Sequence, residues 1–364
     1  MDDCKLADPT VLGFNDELLS SAIKYAITHE SKMDRDIGAA LARGHFEEPS
    51  HIGKTIGPVK PRKAGSGAIL RNGRLIKTWG DVNYVDMSFS ITKSYLSLCT
   101  GVALKNGIIS DVHEPVREIA KDIGFESSHN KDITWAQLLQ LTSEWEGTLW
   151  GKPDWIDHYR DLNNSAESEF KKGTKRVLQK PGTYWEYNDV RVNQLSLALM
   201  LAFRCSLQEV LKKNVMEPIG ATDTWFWHGY ENSWVEVEGK KLQAVSGGAH
   251  WGGGLWISTM DQARVGQLML NKGYWNKKEI IPKSWVEECV KPCPLAPNYG
   301  YLWWLNHPEV GMFPEAPNSA YFALGVGTQI MYVDPENCLV IIVRWIEKNR
   351  VAKFIHLVLE SLKP

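Results

Sequence analysis

Two hairpin signals stand far apart in this chain, and together they constrain its fold more than any other feature. The first is Gly67-Ala-Ile-Leu-Arg, then Asn72-Gly73, then Arg-Leu-Ile-Lys-Thr-Trp. The Asn-Gly pair supplies the positive φ angles that a two-residue turn demands. The second joins strand-like residues 329–333 and 338–345 across Asp334-Pro335-Glu336-Asn337, a turn-forming cluster. Much of the remaining pattern is helical. Residues 15–30 carry a stripe of Leu18, Leu19, Ala22, Ile23, Ala26 and Ile27, and residues 90–106 close at Asn106-Gly107. From there to about residue 215 the chain reads as helical, with Thr134 capping 133–141 and a further segment at 193–203. Ser258-Thr259 caps 260–271, and a last helix covers 351–362. Strands at both ends around a helical middle predict an α+β fold. Residues 1–88 and 226–364 would form an antiparallel sheet flanked by helices, with a mainly helical domain, 89–225, inserted between them.

The chain's 364 residues suffice for a sizeable core. Forty-one basic and 43 acidic residues give a net charge of −2 with no basic stripe, which argues against a nucleic-acid partner. No apolar run approaches the roughly 18 residues of a membrane span. The N-terminus, MDDCKLADPT, lacks the cationic and apolar parts of a signal peptide. The expectation is a cytoplasmic protein, monomer or homodimer, whose partner is a small molecule rather than a membrane. Cys4, Cys99, Cys205, Cys289, Cys293 and Cys338 form no C-x-x-C pair and read as reduced, mostly buried residues. The ten histidines show no metal-ligand spacing, so neither metal nor cofactor is expected. Three familiar motifs fail: His51-Ile-Gly53-Lys54-Thr55 lacks the earlier glycine of a phosphate loop, Gly252-Gly253-Gly254 has no dinucleotide frame, and no G-x-S-x-G elbow occurs.

The spacing Ser-x-x-Lys occurs four times, at Ser21/Lys24, Ser90/Lys93, Ser128/Lys131 and Ser168/Lys171. Three of these lie in polar or solvent-facing surroundings. Ser90/Lys93 lies among Met87, Phe89, Ile91, Tyr95, Leu96 and Leu98. Burial lowers a lysine's proton affinity, residues i and i+3 share a helix face, and the positive helix end favours an alkoxide at Ser90. The pair is then either a nucleophile with its base or a cap serine beside a snorkelling lysine.

F-S-I-T-K-S followed by L-K-N-G-I-I-S-D-V-H-E-P-V resembles the S-x-x-K helix of the serine β-lactamase and penicillin-binding superfamily, in its class C-like branch of esterases, DD-peptidases and 6-aminohexanoate-oligomer hydrolases. The likeness continues at 133–143, 181–189, 215–225, 252–270 and the terminal hairpin, in the family's order over roughly residues 65–362. It implies a β-lactamase/transpeptidase-like fold and a serine hydrolase acting through an acyl-enzyme on Ser90, with Lys93 and Tyr187 handling the proton. The implied substrate is an ester or linear amide. A β-lactamase or D-amino-acid peptidase, and a non-catalytic descendant serving binding or assembly, stay open. The Tyr-x-Asn motif is represented by Tyr187-Asn188-Asp189, with aspartate in the last place, in preference to Tyr230-Glu231-Asn232, which lacks the P-G lead. The late-strand lysine is absent: the corresponding run is Ala320-Tyr-Phe-Ala-Leu-Gly-Val-Gly-Thr. Backbone amides of Ser90 and Ala323 are the expected oxyanion donors. Asp189, His250, Trp251, Trp145 and Trp150 are candidates for the second shell or pocket, as is Trp303 among the 16 tryptophans.

Overall fold

The computed structural model describes residues 6–46, 48, 52–162 and 170–363. Among these the strands are β1 (Ser66–Arg71), β2 (Arg74–Trp79), β3 (Asp86–Met87), β4 (Thr148–Leu149), β5 (Lys152–Pro153), β6 (Phe226–Val237), β7 (Lys240–Val245), β8 (Gly254–Ile257), β9 (Tyr274–Trp275), β10 (Lys278–Glu279), β11 (Trp304–Leu305), β12 (Tyr321–Gly325), β13 (Gln329–Asp334) and β14 (Leu339–Arg344). The helices are α1 (Asp16–Thr28), α2 (Ile37–Ala42), α3 (Ile91–Lys105), α4 (Trp135–Leu139), α5 (Asp189–Phe203), α6 (Leu207–Leu211), α7 (Thr259–Leu270), α8 (Lys283–Cys289) and α9 (Val351–Glu360).

The two hairpins meet in one antiparallel sheet of order β11-β12-β13-β14-β1-β2. Asn72 and Gly73 take φ of 52° and 74° and join Arg71 to Arg74 in register. Ser66 pairs with Arg344 and Arg71 with Leu339, so strands more than 260 residues apart close the sheet. Every residue of β13 and β14 is buried, because helices cover both faces. On one face Phe14, Leu19 and Ala22 meet Phe354 and Val358 over Ile69 and Ile341. On the other, α3 and α7 pack through Tyr95, Leu96, Val265 and Leu268 against Met331 and Val340. The α+β β-lactamase/transpeptidase-like fold expected from the sequence is the one adopted.

Three expectations are corrected. The stripe on α1 is narrower than its apolar letters suggest: Leu19, Ala22 and Ala26 are buried, whereas Leu18 and Ile27 are 48% and 54% exposed. The described residues of 107–188 hold a single short α-helix, α4, with two 3-10 turns and the β4–β5 hairpin. Polar ties hold this region in place of helix packing, as where Asn130 bonds to Gly124 and Glu146 and where Glu144 joins Arg176 to Arg191. Residues 226–257, joined by β3, build a separate sheet, β3-β8-β6-β7. Cys99, Cys205, Cys289, Cys293 and Cys338 are free thiols; Cys4, His51 and Ser168 lie outside the described residues. Among the described residues no helix is long and apolar enough to cross a membrane.

Candidate active site

Ser90 opens α3, and the chain reaches it through Phe89 at a φ of 49°, a left-handed turn that a bulky residue adopts only under constraint. Residues 91–103 of α3 are buried on every side. One turn in, Lys93 is 1% exposed and its Nζ lies 2.9 Å from Ser90 Oγ. The rival Ser-x-x-Lys residues that are described, Ser21, Lys24, Ser128, Lys131 and Lys171, are all exposed. Burial, not spacing, separates the fourth pair from the others.

Lys93 also donates to Asp189 Oδ1 at 2.6 Å. Asp189 begins α5, whose cap is Asn188: its side chain accepts from the amides of Val190 and Arg191. The Asp189 amide is itself held by Asp157 Oδ2 at 2.8 Å. Around Oδ2 stand Arg160, which pairs with it directly, and His250 Nδ1 at 3.4 Å. Burial alone would raise the Asp189 pKa; Lys93, Arg160 and His250 outweigh it and hold the carboxyl well below its ordinary range. The loop 246–254 makes room for this pair. A Cβ on Gly248 would overlap both Asp189 Oδ1 and Lys93 Nζ, so this position admits no side chain.

The network continues behind His250. Its Nε2 meets Glu48 Oε1, Trp251 Nε1 donates to Glu48 Oε2 at 2.7 Å, and Phe46 stacks on the imidazole at 4.0 Å. Glu48, Asp157 and His250 each bring one potential ligand atom within 4.8 Å of the others. Lys172 Nζ stands among them, 2.6 Å from Glu48 Oε1, 3.1 Å from Asp157 Oδ1 and 3.3 Å from His250 Nε2. An ammonium thus takes the place a metal ion would occupy, and the three form an ion-pair network. His250 and Trp251, expected as lining residues, are 2% and 1% exposed and act inside it.

Tyr187 comes to Lys93 through its ring, with Nζ 4.6 Å from the centroid and Arg160 at 5.0 Å. Tyr230, in the competing Tyr-x-Asn, is a satisfied core tyrosine whose hydroxyl bonds to Ser246 at 2.8 Å and Asn193 at 3.4 Å. The aromatic neighbours of Tyr187 are Trp304, stacked at 5.8 Å, then Tyr299 and Trp185. Sequence reasoning named other tryptophans. Trp145 is buried with its Nε1 on the Gly124 carbonyl, Trp150 lies edge-on to Tyr230, and Trp303 packs in the core against Tyr321. Trp303, just before β11, is fully buried, while its neighbour Trp304 reaches Tyr187. Arg160, Glu48, Lys172 and Asp157 were missed because loops distant in sequence supply them; the glycines at 247 and 248 were the one readable signal of a close approach.

The backbone donor expected at Ala323 is corrected. Asn306 donates to the Ala320 carbonyl at 2.9 Å, so even-numbered residues of β12 turn their backbone groups toward β11 and odd-numbered ones toward β13. Ala323, opposite Met331, therefore has its amide inside the sheet. Pairing with β11 stops at Phe322, leaving a free edge at Leu324 and beyond. At Gly325 the strand touches the serine turn so closely that a Cβ would overlap the Ser88 carbonyl. Leu324 thus lies on the unpaired edge of β12 and Val326 in the turn after Gly325, the stretch of backbone that meets the serine turn.

Residues 68–348 match the family described as Beta-lactamase. A search of curated proteins found no match. Among solved structures, a putative β-lactamase from Bacteroides dorei is 14% identical, with a TM-score of 0.62 over 96% of this chain and 99% of that one. A putative 6-aminohexanoate-dimer hydrolase from Bacillus anthracis is 20% identical, with a TM-score of 0.53 over 82% and 77%. A family VIII carboxylesterase is 15% identical, with a TM-score of 0.56 over 89% and 96%. At these identities the structures speak for the fold.

Proposed function

Since the chain belongs to the Beta-lactamase family of hydrolases, we propose that it cleaves an ester or linear amide through an acyl-enzyme on Ser90. The observation that carries this reading is the contact of 2.9 Å between Ser90 Oγ and the buried Lys93 Nζ at the start of α3. Ser90 Oγ attacks the substrate carbonyl, and its proton passes to Lys93 directly or by way of Tyr187. The oxyanion is received by the Ser90 amide and by the edge amides flanking Gly325, aided by the positive end of α3. The proton taken from Ser90 reaches the leaving group through Tyr187 as the carbonyl bond to it breaks; water then attacks the acyl carbon, gives a proton to the Lys93–Tyr187 pair, and the pair returns it to Ser90 Oγ as the acid leaves. Ala323, Leu324 and Val326 offer no cation to a substrate carboxylate, which supports neutral esters and amides over penicillins and D-Ala termini.

The test is labelling with a fluorophosphonate, read by intact mass and peptide mapping. One adduct on Ser90 is expected, absent from Ser90→Ala; label elsewhere, or equal label on the variant, sinks the mechanism. A panel of p-nitrophenyl esters, short linear amides and nitrocefin should show turnover of the first two classes above the third.

A further inference from the structure

A carboxylate held against a lysine favours the protonated amine, which is the wrong partner for a serine hydroxyl about to lose its proton. Asp189 is placed so that this hold is divided. Oδ1 faces Lys93 at 2.6 Å, while Oδ2 faces Arg160 and, at 3.4 Å, His250. Arg160 is 10% exposed, reaches Asp157 Oδ2 at 3.5 Å and covers the Tyr187 ring. Burial works against its charge, but Asp157 and Asp189 outweigh that and keep it a guanidinium. The charged and titratable groups around Asp189 are thus Lys93 from α3, Arg160 from the segment after the 3-10 turn, and His250 from the glycine loop. Asp157 lies behind Arg160, and Glu48 and Lys172 lie behind His250.

We propose that Arg160 is a positioning residue for the Ser90 chemistry: it neutralises Asp189, so that the two together act on Lys93 as an uncharged, dipolar acceptor. Lys93 is oriented by a hydrogen bond yet not held by an unshared negative charge. The proposal rests on Ser90 being the nucleophile. It makes Arg160 and Asp189 one unit, whose joint removal costs less than removal of the arginine alone.

The experiment measures the rate of fluorophosphonate labelling of Ser90 from about pH 6 to pH 10, with thermal melts of each protein alongside. The variants are Arg160→Gln, Arg160→Lys, Asp189→Asn and the double Arg160→Gln/Asp189→Asn. Arg160→Gln should slow labelling at least ~30-fold at neutral pH and move the rising limb to higher pH by about one unit, because the unshared carboxylate then favours the charged amine. The double variant should label at least ~10-fold faster than Arg160→Gln, and Arg160→Lys should stay within about fivefold of the parent protein. A purely structural arginine would not move the pH profile. If Arg160→Gln does not melt cooperatively, the double variant must recover both melting and labelling. A double variant whose loss is the product of the single losses overturns the proposal. So does an unshifted Arg160→Gln profile, or an Arg160→Lys as slow as Arg160→Gln. Parent protein that never labels at Ser90 overturns the nucleophile itself, and the role of the pair falls with it.

Discussion

Lys93 and Lys172 belong to the same charged network, yet their pairing differs. Lys172 meets Glu48 Oε1, Asp157 Oδ1 and the Phe46 carbonyl, one acceptor for each N–H it carries. Lys93 has one carboxylate oxygen, from a group already shared with Arg160, and the hydroxyl of Ser90. Neither burial nor ion pairing by itself would choose between them. A lysine suited to proton transfer keeps a hydroxyl within reach and only a divided claim from its counter-ion; a structural lysine is saturated by charge.

The largest expected effect breaks this comparison directly. Lys93→Met should lower turnover at least ~1,000-fold while the protein still melts cooperatively. Lys172→Met leaves Glu48 and Asp157 short of a cation and should cost about 3 kcal/mol of stability in chemical denaturation. Turnover per folded molecule should fall far less than for Lys93→Met. Equal losses of turnover in the two folded variants would end the distinction.

A second pair of variants sharpens it with glycines. Gly248→Ala drives a methyl into the Lys93–Asp189 contact, for about 2 kcal/mol of destabilisation and loss of Ser90 labelling. Gly173, beside Lys172, has φ +83° and no atom nearer than 3.6 Å to an added Cβ. Gly173→Ala should cost about 1 kcal/mol in backbone strain and leave labelling intact.

The smallest effect is a pH dependence on the Lys172 side. Burial would raise the Glu48 pKa, but His250 and Lys172 outweigh it and set it at about 2, against an ordinary 4.5. A depressed carboxylate contributes stability that is fully present above its unfolded value and lost as pH falls toward the folded one. The stability gap between the parent protein and Glu48→Gln should therefore shrink as pH falls from about 4.5 toward 2. A gap unchanged through that window would contradict the pairing.

What the sequence disclosed follows local chemistry. The Asn72-Gly73 turn, Thr134 and Ser258 as caps, and the buried run of β14 carry their own instructions within a few residues. So does Ser90, once its apolar neighbours are weighed. Apart from the helix that Thr134 caps, residues 107–188 carried no such pattern, because buried ion pairs such as Arg191–Glu144 organise them, and those partners lie 47 positions apart. The same reason hid Arg160: its meaning depends on Asp189, and no periodicity links them. Ala323 was misplaced by two-fold alternation, since a reading of letters finds the strand but not which amides its neighbours already occupy.

The main-chain donors proposed at Leu324 and Val326 have a consequence for anyone mapping this protein by substitution. Main-chain donors survive every side-chain exchange, so an alanine scan of β12 would pass over the proposed oxyanion donors without a signal. The groups become visible only when the N–H itself is removed, by proline at 326 or by an ester link in a semisynthetic chain.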